Sequence, residues 1–268
     1  SYIGVSEKGV LNFEEIPSLI KANTKAIVLT HASNVTGNIT DLKKYGDFCR
    51  NNNLLFVVDA SQTAGAFIID MKEMNIDVLC FTGHKSMLGP QGTGALCVRE
   101  EVYIRPFMVG GSGTHSYDEF QPDKMPTRLE AGTLNSHGIA GLHASIDYIL
   151  RNKMENLTNK AMELARKFYD GVTKFPEVKV YGDFETDLRA PIVSLNISDM
   201  DSSEVSNILY EEYKISTRPG AHCAPLIHKA LGTVEQGMVR FSFSHSNTFE
   251  EVELAINAIK KIIDDRRE

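Results

Sequence analysis

Short apolar runs alternate with amphipathic segments through the first hundred residues. The apolar runs predict buried strands at residues 25–33, 54–60, 76–81 and 94–98. Between the first two, DLKKYGDFCRNN carries apolar residues at helical spacing, which predicts a helix with Thr40 as its N-cap. A short helix is expected between the second and third strands. This alternation indicates a mostly parallel sheet with right-handed crossovers.

The pattern changes in the second half. Residues 99–136 contain many glycines and prolines with little periodicity, which predicts a long loop, and a helical tract then runs from Ser136 toward Phe175. Three strands and two helices follow, in PEVKVYG, APIVSLNI, DSSEVSNILYEEY, GMVRFSFS and the C-terminal segment, with capping-box spacings at Asp201/Glu204 and Thr248/Glu251. We therefore predict an α/β domain at residues 1–136, and a linker helix with a small α+β domain at residues 137–268.

Composition and charge narrow the function classes. The 268 residues carry a net charge of -7, which argues against nucleic acid or an acidic membrane surface as the partner. No membrane-length apolar run and no signal-peptide pattern is present, so a cytoplasmic location is expected. The scattered cysteines indicate neither a disulfide framework nor a metal site; they are Cys49, Cys80, Cys97 and Cys223.

A lysine in a glycine-rich turn lies between the third and fourth predicted strands, in FTGHKSMLGPQGTG (residues 81–94). Ligands of open α/β sheets bind at strand ends, and glycines permit close backbone approach there. Thr82, His84 and Ser86 place hydrogen-bonding side chains beside the Lys85 amine. The turn thus predicts a ligand site, although an ordinary solvated lysine in a surface loop is the alternative.

Asp59 ends the second apolar run, where a buried carboxylate requires a partner. We expect a cation beside it. A carboxylate at one strand end and Lys85 at another fit pyridoxal phosphate, with the lysine forming the Schiff base and the carboxylate keeping the pyridine nitrogen protonated. The alternative for Asp59 is an N-cap for the SQTAGA segment that follows.

Five segments, in this order, resemble the cysteine desulfurase and selenocysteine lyase branch of the class V aminotransferase-like, pyridoxal-phosphate-dependent enzymes of fold type I. They are HASNVTG, VVDASQTAG, FTGHKSMLGPQGTG, RLEAGTLN and RPGAHCAP. The resemblance spans nearly the whole chain. It implies a homodimer in which each subunit has a large, mostly parallel sheet domain and a smaller C-terminal domain, with the cofactor at their junction.

The resemblance implies a cysteine desulfurase, which moves sulfur from L-cysteine or a similar amino acid to an enzyme cysteine and releases alanine. A sulfur-acceptor protein would then take the persulfide sulfur. Two alternatives stay open. One is a selenocysteine lyase or another class V aminotransferase or lyase, and the other is an inactive chain of this fold that serves only as a folding or dimerisation partner.

Site residues follow from the matched positions. Lys85 resembles the Schiff-base lysine and Asp59 the partner of the pyridine nitrogen. Gln62 matches a residue that hydrogen-bonds the cofactor's phenolic oxygen, and Asn34 matches one close to that oxygen and to the substrate. Taken singly, Asn34 and Gln62 are ordinary turn residues.

The phosphate contacts and the proton carriers also follow from the resemblance. Thr82 and His84 match phosphate ligands, and Thr133 matches a phosphate contact donated by the neighbouring subunit. Thr133 taken alone is a loop hydroxyl. Lys85 or His84 would move protons during the reaction.

Cys223 occupies the nucleophile position of the family. Pro225 suits the first turn of a helix at residues 225–231, so the thiol is expected near a helix N-terminus, where the helix dipole lowers a thiol pKa. Arg240 matches the arginine that binds the substrate carboxylate through two parallel hydrogen bonds. The alternative for Cys223 is an incidental exposed cysteine, and the alternative for Arg240 is a salt-bridge residue at a strand edge. We assign no role to His222.

The chain departs from the family before Ser1. Relatives carry a long preceding segment with an aromatic or histidine that stacks on the cofactor ring and a glycine-threonine turn for the phosphate. Neither is in the sequence. We therefore expect that this chain, taken as an entire molecule, binds the cofactor poorly or not at all.

Overall fold

The computed structural model describes residues 1–267 as an α/β fold with two separate sheets. Its elements are α1 (Ile16–Leu19), β1 (Ala26–Thr30), α2 (Leu42–Asn51), β2 (Leu55–Asp59), β3 (Val78–Thr82), β4 (Gly94–Val98), α3 (Ser136–Asn152), α4 (Met154–Val172), β5 (Val178–Tyr181), β6 (Ile192–Ile197), α5 (Ser202–Tyr213), α6 (Pro225–Leu231), β7 (Val239–Ser242) and α7 (Phe249–Arg267). Two single-turn 3-10 helices lie at Phe13–Glu15 and Thr127–Leu129.

The first sheet has the strand order β1-β2-β3-β4. The first three strands are parallel, and β4 returns antiparallel to β3. Thr30 is opposite Asp59, and Asp59 is opposite Cys80, so the carboxyl ends of the three parallel strands meet at one edge. The mostly parallel sheet is confirmed. This edge is where ligands of such sheets bind.

The helix expected between β2 and β3 is wrong. Residues 60–77 form a succession of hydrogen-bonded turns. Gly65 has a φ of 82°, in the left-handed region, which ends the helical turn that begins at Ala60. The connection is therefore compact but not helical.

Helix α2 covers one face of this sheet with a stripe made by Leu42, Tyr45 and Cys49. Val28 and Leu96 point to the other side and remain 69% and 45% exposed. The prediction of buried strands is therefore wrong for β1, whose second face is left open because α2 packs on one face only, and for β4, which is exposed on both faces at the edge of the sheet.

The N-cap of α2 is also one residue from its predicted position. Asp41 Oδ1 accepts a hydrogen bond from Lys44 N at 3.1 Å. The Thr40 hydroxyl instead donates to the carbonyl of Thr30 at 3.2 Å. The cap thus falls to Asp41 because Thr40 is used in a contact with β1.

The second sheet is antiparallel, with the order β5-β6-β7, and forms the α+β part of the fold. All six residues of β6 are buried. Helices α4 and α7 pack together beside the sheet, and the rings of Phe168 and Phe241 lie 4.5 Å apart between centroids. The core of this part is continuous; it includes Leu164, Phe168, Leu195, Ile197, Leu209 and Ile259.

The capping boxes are realised to different degrees. Thr248 N donates to Glu251 Oε2 at 3.1 Å, and Glu251 N donates to Thr248 Oγ1 at 3.2 Å, which completes the box before α7. At α5, Asp201 Oδ1 accepts from Ser203 N at 2.7 Å. Both helices therefore begin at the predicted caps.

Helices α3 and α4 occupy the predicted helical tract, with the break at Lys153. Helix α3 begins at Ser136, beside the predicted domain boundary, and the boundary itself stays a prediction. None of the helices in residues 1–267 combines the length and apolar character needed to cross a membrane.

Candidate active site

The turn that carries Lys85 leaves the carboxyl end of β3. Gly83 N donates to the carbonyl of Thr93 at 2.8 Å, which closes the turn at its base. Thr82 Oγ1 lies 2.7 Å from His84 Nδ1, so these two side chains are hydrogen-bonded. His84 and Lys85 are both exposed. The turn thus presents an amine, an imidazole and a hydroxyl together.

The turn after β2 is bonded directly to the lysine turn. Thr82 N donates to Ser61 Oγ at 3.3 Å, and Ser86 Oγ donates to the carbonyl of Gln62 at 3.2 Å. These two bonds hold the two turns side by side. Asp59 and Gln62 therefore lie next to the segment that bears Lys85.

Asp59 is exposed, so the prediction of a buried carboxylate is wrong. Its Oδ1 accepts a hydrogen bond from Ser61 N at 2.8 Å, which is a turn contact, and it forms no ion pair within residues 1–267. The apolar run before Asp59 predicted burial, but Asp59 is the last residue of β2 and lies at the open edge of the sheet. Its role toward a cofactor stays a proposal.

Asn34, in the turn after β1, connects the two sheets. Its Nδ2 donates to the carbonyl of His222 at 2.7 Å. The guanidinium of Arg240, on β7, donates from Nη1 to the carbonyl of Asn34 at 3.0 Å. These contacts join the carboxyl edge of the first sheet to β7 and to the loop at residues 219–224 that carries Cys223, which we call the cysteine loop.

The cysteine loop runs directly into α6, which begins at the predicted Pro225. His222 and Cys223 have φ values of 55° and 58°, both in the left-handed region. Cys223 is exposed, and its Sγ lies 3.1 Å from Nη2 of Arg218. A guanidinium at this distance attracts negative charge on the sulfur.

Arg240 is half-buried and pairs with Arg218 through the backbone, Arg240 N donating to Arg218 O at 2.9 Å. Burial, followed by the nearby charge of Arg218, lowers the pKa of Arg240, and Cys223 opposes this. Arg240 Nε is buried without a hydrogen-bond partner in the part of the chain that the structure describes. A buried donor of this kind fits an anionic ligand such as a carboxylate.

Thr133 lies apart from this cluster. It is exposed, just before α3, and shares no hydrogen bond with the other candidate residues among residues 1–267. A phosphate contact from it is therefore a proposal about another subunit.

Sequence reasoning missed the contact of Arg218 with the sulfur and the use of Ser61 to join the two turns. Arg218 is five residues before Cys223 in the same motif, which is a local signal. Ser61 carried no such signal, because its partner Thr82 is on another strand.

Comparison with known proteins identifies the family to which this arrangement of residues belongs. The model of the aminotransferase class-V family matches residues 1–254. The chain belongs to this family. Members of the class-V aminotransferase family depend on pyridoxal 5′-phosphate, and the fold agrees with theirs.

Among similar class-V members, a probable cysteine desulfurase of Methanothermobacter thermautotrophicus is 34% identical over 97% of this chain and 66% of its own length. Cysteine desulfurase CsdA of Escherichia coli is 31% identical over 93% of the chain and 61% of its own length. The apo cysteine desulfurase of Thermococcus onnurineus NA1 superposes with a TM-score of 0.89 and 32% identity, over 99% of this chain and 66% of its own. The chain thus spans less than two thirds of each relative's length.

The residues at the sheet edge fit pyridoxal phosphate by their chemistry. A primary amine, a carboxylate, a hydroxyl bonded to an imidazole, and an amide side chain lie on two turns that hydrogen bonds hold together. An amine matches an aldehyde, a carboxylate matches a pyridinium nitrogen, and hydroxyl and imidazole donors match a phosphate. The members of this set are Lys85, Asp59, Thr82, His84 and Gln62.

Proposed function

We propose that this chain carries the catalytic residues of a pyridoxal-phosphate-dependent cysteine desulfurase. The observation that supports it most is the exposed thiol of Cys223, 3.1 Å from the guanidinium of Arg218. The loop that bears this thiol is hydrogen-bonded through Asn34 to the edge that carries the lysine turn. Relatives named cysteine desulfurases, at 31% and 34% identity, support the same reaction.

In this proposal Lys85 would hold the cofactor covalently, Asp59 would pair with its pyridine nitrogen, and Gln62 and Asn34 would contact its phenolic oxygen. Thr82 and His84 bind the phosphate, and their mutual hydrogen bond at 2.7 Å orients both side chains. The cofactor, when bound, withdraws electrons from the substrate and so labilises its bonds.

The protein groups then act on the amino acid and its sulfur. Arg240 binds the substrate carboxylate through donors that include its unpartnered Nε. The thiolate of Cys223 attacks the substrate sulfur, forming an S–S bond as the Cβ–S bond breaks, and the electron pair of that bond goes to the substrate carbon. Lys85 or His84 supplies protons to the carbon skeleton, which leaves as alanine, and a persulfide remains on Cys223.

A homodimer and a sulfur acceptor complete the proposal. The loop between β4 and α3 exposes large apolar side chains, among them Phe107 at 98% and Phe120 at 83%. Exposed apolar surface of this kind is typical of protein interfaces. A second copy covering this loop would bring Thr133 of each subunit toward the other's cofactor phosphate. Light scattering during gel filtration measures the subunit number, and a monomer at working concentration would contradict the dimer.

The direct test uses L-cysteine and protein reconstituted with pyridoxal phosphate. Alanine release is measured, and persulfide is located by mass spectrometry of thiol-labelled peptides. We expect persulfide on Cys223 and loss of both products in Cys223→Ser. Cys97→Ser is the matched control, because Cys97 is also exposed but lies on β4. It should retain both products.

Two results would contradict parts of the proposal. Unchanged alanine release by Cys223→Ser would remove the nucleophile role and favour a lyase that does not use its own thiol. Absence of the cofactor–lysine absorbance band after incubation with pyridoxal phosphate would favour an inactive folding partner. If the band forms, Lys85→Ala should abolish it.

A further inference from the structure

A buried hydrogen-bonded chain lies behind the exposed thiol of Cys223. It consists of His222, His228 and Thr233, each no more than 3% exposed. His222 Nδ1 lies 3.4 Å from His228 Nε2, and His228 Nδ1 lies 2.8 Å from Thr233 Oγ1. The two imidazole rings are nearly parallel, with centroids 5.6 Å apart.

The Arg218 carbonyl sets the tautomer of His222, and through it the direction of the hydrogen bond to His228. His222 Nε2 lies 2.9 Å from the carbonyl of Arg218, which only accepts, so this nitrogen carries a proton. Burial lowers the pKa of both histidines, that of His222 to about 4, so each ring is neutral near pH 7. His222 Nδ1 is then an acceptor, His228 Nε2 is its donor, and His228 Nδ1 accepts from the hydroxyl of Thr233.

The backbone at His222 and Cys223 explains why such support is needed. Side-chain-bearing residues enter the left-handed region singly, whereas here two successive residues occupy it, with φ values of 55° and 58°. Such a turn persists only where its surroundings restrain it. The ring of His222 is held by His228 and the Arg218 carbonyl, and its own carbonyl accepts from Asn34.

We propose that His228 is a positioning residue: by donating from Nε2 to His222, it holds the left-handed turn that keeps the Cys223 thiol beside Arg218. The use of this position for sulfur transfer rests on the proposed function. The position itself does not, since it is a property of the loop and is measurable without cofactor or substrate.

The test is the rate at which iodoacetamide alkylates Cys223, followed by peptide mass spectrometry, with the exposed Cys97 as an internal reference. Replacing Arg218 with Gln should slow the reaction about fivefold, the rate equivalent of losing one exposed charge interaction. His228→Met is similar in size but cannot donate a hydrogen bond, and it should slow alkylation of Cys223 as much as R218Q does. Adding R218Q to His228→Met should cause no further decrease in the rate.

His228→Gln is the matched rescue, because its amide nitrogen takes nearly the place of Nε2 and donates in the same direction. It should keep the wild-type rate within about twofold and retain the response to R218Q. Equal behaviour of the Gln and Met variants, or a full R218Q response in His228→Met, would overturn the proposal.

Thr233→Val keeps the test decisive if His228→Met does not fold, as judged by circular dichroism. It removes only the hydroxyl that bonds to His228, so we expect a partial decrease in rate and a weaker response to R218Q. An unchanged rate and an unchanged response would overturn the proposal. If the alkylation rates respond to the variants as predicted but no persulfide forms from L-cysteine, the result would count against the proposed function and not against the role of His228.

Discussion

Acid should destabilise the fold through His31, the residue that follows β1. This histidine is 6% exposed, and its Nδ1 lies 2.9 Å from Oγ1 of the fully buried Thr63. Burial alone lowers the pKa of His31 from 6.5 to about 4. Between these two values the unfolded chain binds a proton that the folded chain does not, so the free energy of unfolding falls as the pH falls through this interval.

The size of the effect follows from the two pKa values. Well above pH 6.5 His31 is neutral in both states, so it does not lower the free energy of unfolding. Proton linkage then lowers the free energy of unfolding by about 1.4 kcal/mol at pH 5.5 and by about 2.5 kcal/mol at pH 4.5. Below about pH 4 the folded histidine is protonated as well, and no further loss arises from it. His31→Asn is the matched variant, because its amide occupies nearly the position of Nδ1, keeps the bond to Thr63 and does not titrate.

Urea unfolding followed by circular dichroism at pH 7.5, 5.5 and 4.5 measures this difference. Both proteins contain His222 and His228, so those two histidines cancel in the comparison. The wild type should lose about 2.5 kcal/mol more than His31→Asn between pH 7.5 and 4.5. Parallel pH dependences of the two proteins would refute the assignment, whatever their difference at pH 7.5.

Two further predictions concern the packing of the first sheet and use the same urea measurement. Replacing Gly46 with Ala normally favours a helix, but here its Cβ would overlap the carbonyl oxygen of Met74, so we expect a loss of about 1–3 kcal/mol. A more stable variant would contradict this. Replacing the buried Asp77 with Ala removes the acceptor for Phe56 N at 2.7 Å and the partner of Arg99 at 2.9 Å, and should cost about 3 kcal/mol. A loss below about 1 kcal/mol would show that solvent or other groups replace these contacts.

The elements that local pattern specifies were predictable from the sequence. Strand β6 is a mainly apolar run buried at every position, and α6 begins at Pro225, whose missing N–H costs nothing in a first helical turn. The N-cap of α2 was missed by one residue. Thr40 and Asp41 are both good caps, and only the tertiary bond from Thr40 to the carbonyl of Thr30 assigns the cap to Asp41.

Exposure and long-range contacts were not predictable in the same way. An apolar run predicts burial, but the exposure of Asp59 and Val28 depends on what packs against each face of the sheet. The bond from Asn34 to the His222 carbonyl joins residues 188 positions apart. Neither fact has a local signal, because each arises from the way separate elements meet.

The contacts of Asn34 help to hold the two parts of the candidate site together. The lysine turn is bonded to the turn after β2, and the cysteine loop is bonded to Arg218 and His228, so each part is fixed internally. Between the parts, Asn34 donates from its side chain to one and accepts through its carbonyl from Arg240. Neighbouring residues of the same turn also bond to the second part of the fold, since Ser194 Oγ donates to the carbonyl of Val35 at 2.5 Å and Arg189 Nη2 donates to the carbonyl of Thr36 at 2.6 Å. Asn34 therefore belongs to a wider set of contacts that holds the two parts together, and it is the member of that set that bonds to the loop carrying Cys223.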